Sequence, residues 1–359
     1  MKLRVFLLYP FTLLYMMITS FRNHLYNIGY TRSFNYDIMT INVGNLSVGG
    51  TGKTPMVEYL IRLLRKQYAL ATLSRGYKRK SKGIIIASPT STVHDLGDEP
   101  FQYHLNFGDQ VFVAVGEERS LAIPKILMEH PETQAILLDD AYQHRTVTPD
   151  LNILLTQYSS PFYKDHVLPS GLLREKRSGA KRADIIVVTK CPMNLEEGEK
   201  SEITARIKKY AKPEAEVFFS AIRYGIPVAL NKTDTFSGNV IVFAGLANMQ
   251  PMVDYVTNTF ELADSISFKD HHHYTIKEVE ALVGKAKELN ATLLTTEKDI
   301  VKLRSKDYLK VVEDVGLFYL PISVQFLFDE GEEFDLLVNE AIIEKYEREE
   351  ELEPSDEEE

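Results

Sequence analysis

The sequence predicts an α/β protein: a mostly parallel sheet flanked by helices, followed by a smaller C-terminal α/β domain. Three observations carry this. Short apolar runs alternate with amphipathic helical stretches along most of the chain, as in sheets built from strand–helix–strand units. Several of those runs are continuously apolar, as expected of strands buried on both faces of a parallel sheet. Near residue 225 the texture turns to Gly225-Ile226-Pro227 and then Asn231 to Asn239, turn-rich sequence that precedes a second α/β block. A length of 359 residues suits about two domains at the usual ~150 residues each. The expected division is residues 1–35, a helical segment; 36–225, the main domain; 226–345, a linker hairpin and the smaller domain; and 346–359, a tail.

Taken in order, the helical segment comes first. Val5 to Ile18 carries Thr12 as its only strongly polar side chain. Fourteen residues make roughly 21 Å of helix, short of the ~30 Å hydrocarbon core, and Pro10 costs a helical hydrogen bond, so the segment does not span a bilayer. Met16-Met17-Ile18-Thr19-Ser20-Phe21-Arg22 offers a poor small-residue cleavage site, which argues against a secretory signal. Two readings stand side by side: a helix packed on the domain core, or one lying in a membrane interface. Met1 to Tyr36 contains no Asp or Glu, while Lys2, Arg4, Arg22 and Arg32 are basic and suit anionic headgroups.

The main domain supplies strands at Ile38–Val43, Leu70–Leu73, Gly83–Ala87, Val111–Val115, Ala135–Leu138, Leu151–Leu155, Ile185–Thr189 and Val217–Ile222. Between the first two, Pro55 to Arg65 places Met56, Leu60, Leu63 and Leu64 on one helical face. The smaller domain reads as strand Val240–Phe243, a helix near Pro251–Phe260, strand Ser265–Phe268, a second helix, and strands Thr292–Thr295 and Leu317–Leu320. Thr275 and Glu278 form a capping box for that second helix, and Val279, Leu282, Val283, Ala286 and Leu289 keep its spacing. From Glu347 to Glu359 the chain is almost continuously acidic, a self-repelling tail expected to stay disordered.

The first strand runs into Gly44-Asn45-Leu46-Ser47-Val48-Gly49-Gly50-Thr51-Gly52-Lys53-Thr54 and then a helix, the order of a phosphate loop. Ser47 stands where that pattern has its first glycine. Gly49, Gly50 and Gly52 let backbone N–H groups turn inward around phosphate oxygens, and the helix N-terminus adds partial positive charge. Ser47 through Thr54 are therefore the expected ATP-binding residues, with Lys53 on the β- and γ-phosphates and the Thr54 hydroxyl on Mg²⁺. The main domain is thus P-loop NTPase-like. Such a loop needs a metal-side carboxylate at a neighbouring strand end. Ala135-Ile136-Leu137-Leu138 supplies Asp139 and Asp140 there, both expected at the metal.

Charge and cysteine usage narrow the class further. A net charge of −10 argues against general nucleic-acid binding, and one cysteine, Cys191, excludes a disulfide framework or Cys-rich zinc module. Asn231-Lys232-Thr233-Asp234 spells a guanine-reading motif, so a GTPase switch is the rival reading. Against it, the Asp-x-x-Gly switch motif is absent after both Asp139 and Asp140. Ser170 to Arg182 is basic through Arg174, Lys176, Arg177, Lys181 and Arg182, read either as a solvated loop or as a phosphate- or lipid-recognising one.

At this point the sequence resembles the tetraacyldisaccharide 4′-kinases, the lipid A 4′-kinases. The phosphate loop with its Ser47 matches that family, and so do Leu73-Ser74-Arg75-Gly76-Tyr77, Gly97-Asp98-Glu99-Pro100, Val115-Gly116 with Arg119, and Asp139-Asp140-Ala141-Tyr142-Gln143-His144-Arg145. Further along, Leu168 to Glu175, Phe243 to Asn248, Phe268-Lys269-Asp270-His271-His272 and Leu294 to Asp299 match in the same order. Ala141-Tyr142 replaces the family's more usual Gly-Phe, and the acidic tail lies outside the resemblance.

The resemblance implies two α/β domains joined by a strand-like linker, with the active site in the cleft. It implies a kinase, a transferase using ATP and Mg²⁺, that phosphorylates the 4′-hydroxyl of an acylated glucosamine disaccharide 1-phosphate in lipid A biosynthesis. The expected partners are that lipid and a membrane surface, at the cytoplasmic face of the inner membrane, with no nucleic acid and no protein partner. It also implies Asp98 as catalytic aspartate and His271 as its partner, and Arg75, Arg119, His144 and Arg174 as substrate-binding residues. Because such acyl chains stay in the bilayer, the resemblance favours the membrane reading of the N-terminal helix.

Overall fold

The computed structural model describes residues 2–231 and 235–350. The predicted tail from residue 351 onward and three residues of the Asn231–Asp234 motif lie outside the described residues. The chain opens with α1 (Lys2–Asn27), then β1 (Met39–Asn45), α2 (Lys53–Leu64), β2 (Leu70–Ser74), β3 (Ile85–Ile86), α3 (Val93–Leu96), α4 (Asp98–Phe107), β4 (Val111–Val115) and α5 (Arg119–Glu129). It continues through β5 (Ala135–Asp139), β6 (Leu151–Gln157), β7 (Ile185–Thr189), α6 (Glu197–Lys208) and β8 (Glu216–Tyr224). The second half holds β9 (Val228–Ala229), β10 (Asn239–Ala244), α7 (Gln250–Thr259), β11 (Glu261–Ser267), α8 (Ile276–Glu288) and β12 (Thr292–Thr296). It ends with α9 (Glu297–Ile300), α10 (Lys306–Val311), β13 (Leu317–Leu320), β14 (Ile322–Phe326) and α11 (Gly331–Glu350).

The first sheet has strand order β14-β8-β7-β6-β1-β5-β2-β4-β3, parallel except for β14 and β3 at its edges. Burial explains the sequence texture: every residue of β1, β2, β5 and β7 is buried, which favours apolar side chains on both faces, and the buried polar residues Thr40 and Asn42 of β1 are hydrogen-bonded to Asp150 and Asn152. On one face α2, through Met56, Val57, Leu60, Ile61 and Leu64, packs with Phe334, Val338 and Ile342 of α11 over the strands. The loops at the carboxyl ends of β1, β2, β5, β6 and β7 open on one side, the usual place for a ligand in an open parallel sheet. The second sheet, β11-β10-β12-β13-β9, is parallel apart from the edge strand β9.

Three details of the sequence reading change. The predicted strand Gly83–Ala87 is only two residues long, an antiparallel edge on β4. More consequentially, β14 pairs with β8 and α11 covers the first sheet, so residues from 322 onward return to the main domain and do not continue the smaller one. Their apolar faces need a partner sheet, and the alternating pattern of β14 fits an edge position. Helix α11 also runs to Glu350, so the segment expected to be tail from residue 346 begins as helix.

The chain thereby crosses between domains twice, at Gly225 and at Pro321, and each crossing strand is paired. β8 meets β14 on one side, and β9 meets β13 on the other. The Gly225 amide donates to the Pro321 carbonyl at 2.8 Å, joining the two crossings at the boundary. The expected linker is strand-like, but it is half of a two-stranded connection.

Helix α1 packs one face on the core and leaves an apolar face exposed. One face docks: Thr12 is buried and its hydroxyl lies 2.6 Å from the Ser170 hydroxyl, while the Tyr15 hydroxyl donates to the Arg174 carbonyl at 3.1 Å. Tyr15 and Met16 pack on the core around Leu46, Tyr142 and Leu173. The opposite face leaves Leu7, Phe11, Leu14, Met17, Ile18 and Phe21 exposed. Among the described residues no helix is long and apolar enough to cross a membrane. Lys2 and Arg4 lie outside the described side chains, whereas Arg22 donates to the Gln143 carbonyl at 2.9 Å.

Candidate active site

The phosphate loop sits between β1 and α2, where the buried strand turns into a helix N-terminus. Gly52 adopts φ 85° immediately before Lys53, a left-handed conformation that glycine takes without steric cost. Gly49 at φ 111° leaves its inner side open, with no atom near where a side chain would project. Neighbouring segments fix the rim. The Val48 amide donates to the Leu172 carbonyl (2.8 Å), the Arg174 amide to the Leu46 carbonyl (2.7 Å) and the Thr189 hydroxyl to the Thr51 carbonyl (2.8 Å). Lys190, at φ 58°, donates from Nζ to the Gly50 carbonyl at 2.6 Å, and burial together with the nearby Lys53 lowers its pKa. Lys53 Nζ lies 3.4 Å from Asn45 Oδ1 and 3.5 Å from Asp140 Oδ1, poised at the loop mouth.

At the end of β5 the two acids part. Asp139 is buried and accepts hydrogen bonds from the Ser74 hydroxyl (3.1 Å) and the Tyr103 hydroxyl (3.3 Å). Burial and the charge of the adjacent Asp140 push its carboxyl up to about 6, against the pull of Lys53. Asp140 turns away at φ 52° and takes a two-pronged ion pair from Arg174, at 2.9 and 3.2 Å. Burial alone would raise its pKa, but Lys53 and Arg174 hold it below the ordinary range. Arg174 is therefore engaged by a carboxylate, as well as by Gln143 at 3.2 Å.

Arg75 and Arg119 form a cationic pair beside these acids, with His144 next to them. Arg119 is fully buried; its Nη1 donates to the Gly116 carbonyl, while Nε and Nη2 have no partner among the described residues. Burial lowers the Arg119 pKa to about 10, the neighbouring Arg75 adds to that, and Asp139 and Asp140 oppose it. Burial and the positive charges of Arg119 and Arg75 hold His144 down at about 4, so it is a neutral imidazole at physiological pH. A buried guanidinium with spare donors, backed by Arg75, suits an anionic group.

Asp98 begins α4, where the helix N-terminus favours its negative charge. It is 5% exposed, and its Oδ2 lies 3.0 Å from His271 Nδ1. His271 stands at φ 57° in the loop after β11, and the Tyr77 ring meets its ring edge-on at a centroid distance of 5.3 Å. Its neighbours point elsewhere. His272 Nε2 contacts Glu278 at 3.1 Å, in the capping box of α8, and His273 is exposed.

This arrangement has relatives of known kind. The family model for tetraacyldisaccharide-1-P 4′-kinase matches residues 4–342. The tetraacyldisaccharide 4′-kinase of Flavobacterium johnsoniae is 43% identical over 346 residues, covering 95% of this chain and 98% of that protein. The chain belongs to the tetraacyldisaccharide 4′-kinase family. The Bacteroides thetaiotaomicron tetraacyldisaccharide 4′-kinase is 38% identical over 347 residues, 91% of this chain and 90% of that one. A solved structure of LpxK from Aquifex aeolicus in complex with ATP matches with TM-score 0.72 and 29% identity, covering 94% of this chain and 99% of that one.

Within this 4′-kinase fold, the donor set fits Mg²⁺ held jointly with nucleotide phosphates. Among the described residues no cluster of three or more His, Cys, Asp or Glu could hold a metal ion alone. The Thr54 hydroxyl and Asp139 are left, both beside the Tyr103 hydroxyl, and Mg²⁺ commonly takes one or two protein oxygens with phosphates and waters completing its shell. Asp140, expected at the metal, has both oxygens occupied by Arg174. Sequence reasoning missed Ser74, Tyr103, Thr189 and Lys190, and also Lys298 and Lys302, whose ammonium groups lie 3.0 Å from His271 Nε2 and 3.3 Å from Asp98 Oδ2. Ser74 falls inside a matched motif and Thr189 ends a strand, which were usable signals; Tyr103 and Lys302 reach the site only through helix packing.

Proposed function

We propose that the cleft performs the family reaction with Asp98 as general base, His271 as its orienting partner and the residue 47–54 loop as the triphosphate cradle. The protein is an ATP- and Mg²⁺-dependent kinase of the 4′-hydroxyl of tetraacyldisaccharide 1-phosphate, in lipid A biosynthesis. Backbone amides of Ser47 to Gly52 and the Lys53 ammonium neutralise the β- and γ-phosphates. Thr54 and Asp139 would hold Mg²⁺, which would supply charge neutralisation at the phosphates. Asp140 fixes Arg174 and Lys53 instead of binding metal. Asp98 accepts the proton of the attacking hydroxyl, and Arg75, Arg119 and Arg174, with neutral His144, bind the substrate's anionic and hydroxyl groups.

The observation that carries this reading is that α4 serves both sides of the reaction. Its first residue is Asp98 and its Tyr103 reaches Asp139, roughly 7.5 Å further along the helix axis. A base and a metal-side carboxylate tied to one helix suit an in-line transfer between donor and acceptor oxygens. The exposed apolar face of α1 supports docking on a membrane surface, at the cytoplasmic leaflet of the inner membrane where ATP and the acylated acceptor meet. Transfer of label from γ-labelled ATP to tetraacyldisaccharide 1-phosphate in mixed micelles tests the reading. Acceptor-dependent labelling is expected; ATP turnover that leaves the acceptor unlabelled overturns it.

A further inference from the structure

Two lysines of the smaller domain close around the Asp98–His271 pair. Lys298 Nζ lies 3.0 Å from His271 Nε2, and also 3.1 Å from Glu99 Oε1 and 3.5 Å from Asp270 Oδ1. Lys302 Nζ lies 3.3 Å from Asp98 Oδ2 and 3.0 Å from Asp299 Oδ1, with its side chain almost wholly buried. Asp299 is itself anchored by the Gly245 amide (2.9 Å) and the Thr296 hydroxyl (2.8 Å), so Lys302 is held from a fixed point.

An ammonium group donates and never accepts. With Lys298 on Nε2, that nitrogen must be the acceptor, and the ring proton must sit on Nδ1, facing Asp98. Glu99 and Asp270 keep Lys298 charged against its burial, so this donor persists across neutral pH. We propose that Lys298 and Lys302 are positioning residues of the base: Lys298 fixes His271 as the Nδ1–H tautomer, and Lys302 keeps the Asp98 carboxylate an anion. The inference rests on Asp98 being the base.

The tautomer has a chemical consequence. His271 Nδ1 already carries a proton, so it cannot receive the one Asp98 takes from the acceptor hydroxyl. That proton stays on the Asp98 carboxyl until it leaves to solvent or product, while the hydroxyl oxygen forms its bond to phosphorus and the bond from phosphorus to the ADP oxygen breaks. Burial pushes the Asp98 carboxyl up, but the His271 hydrogen bond and the charges of Lys302 and Lys298 outweigh it and hold the carboxyl low. The other charged groups around it are Glu99 on its own helix, Asp270 and His273 in the loop after β11, and, beyond His273, His94 and Lys78.

The test uses the full-length enzyme. In ¹⁵N-histidine spectra, with His271→Asn giving the assignment, His271 should show a protonated Nδ1 and a bare Nε2 at pH 8. Lys298→Met should abolish that preference. A protonated Nε2 in the wild type overturns the assignment of Lys298. For Lys302→Gln, which keeps a donor and loses the charge, the acid limb of the kcat profile should move up by about one to three pH units, and Lys302→Arg should restore it. A uniform loss at all pH values, with the limb unmoved, overturns the assignment of Lys302. Asp98→Asn separates the two levels: if it retains wild-type kcat, the base reading fails, whereas if it is inactive while the limb ignores Lys302, only this inference fails.

Discussion

The Asp98 carboxylate and the His271 imidazole lie 3.0 Å apart, yet Asp98 begins a helix of the main domain and His271 belongs to the smaller one. The pair is therefore complete only when the two domains are held together, as the paired crossings at Gly225 and Pro321 hold them.

Removing the imidazole leaves Asp98 buried but still beside Lys302. His271→Ala should lower kcat by roughly 10- to 100-fold while KM for ATP stays near the wild-type value, since orientation and not nucleotide binding is lost. His273→Ala, altering an exposed ring, should change kcat little. Steady-state kinetics with the two substrates varied separately distinguishes these outcomes.

Lys53→Ala and Asp139→Ala should each reduce transfer by well over tenfold, because charge neutralisation at a transferring phosphoryl group is worth several kcal/mol. They should differ in metal response. Raising Mg²⁺ should partly rescue Asp139→Ala and leave Lys53→Ala unchanged, a contrast that a Mg²⁺ titration of initial rates resolves.

A pH effect on stability comes from Glu297, which is 9% exposed and meets the fully buried side of Glu58 through Asn106, whose Nδ2 donates to both carboxylates at 2.9 Å. Burial and the nearby Glu58 raise the Glu297 carboxyl from 4.5 to about 7, against Asn106 and Arg62. A raised folded-state pKa means that its favourable contribution is fully present below about pH 4.5 and is lost as pH rises through 7. Glu297→Gln, which keeps the Asn106 bond, should raise Tm by a few degrees at pH 8, on the order of 2 kcal/mol, and by almost nothing at pH 4.5. Equal gains at both pH values in thermal melts would show that charge is not the cause.

The proposed membrane docking would rest on the outer face of α1, so substitutions there test it more cleanly than truncation. Thr12, Tyr15 and Met16 hold the inner face to the core, and deleting the helix would expose that core. Leu14→Glu with Phe21→Glu should abolish cosedimentation with anionic vesicles and leave ATP binding intact. Retained vesicle binding would remove the helix face from the membrane contact.

Much of this was legible in the sequence, for a physical reason. Burial on both faces favours apolar side chains, so the almost wholly apolar β4 and β7 could be bounded correctly from composition alone, and the phosphate loop announces itself because only glycine suits Gly49 and Gly52. Three site residues carry a positive φ that no pattern signals, Asp140, Lys190 and His271. The return of β14 and α11 to the first sheet was illegible because their apolar residues say that they need a partner, not which sheet supplies it. The Asp139–Asp140 pair reads as two equivalent metal-side acids. Only the turn at Asp140, which aims one at Arg174, separates their surroundings.

The central claim is that Asp98 acts on the acceptor and not on the nucleotide. Single-turnover transfer from γ-labelled ATP to tetraacyldisaccharide 1-phosphate, with ATP affinity measured on the same Asp98→Asn protein, tests it most directly. The transfer rate should fall at least about 100-fold, with ATP affinity within about threefold of wild type. Collapse of ATP affinity with transfer from the bound complex preserved would contradict it, making Asp98 a nucleotide or metal ligand.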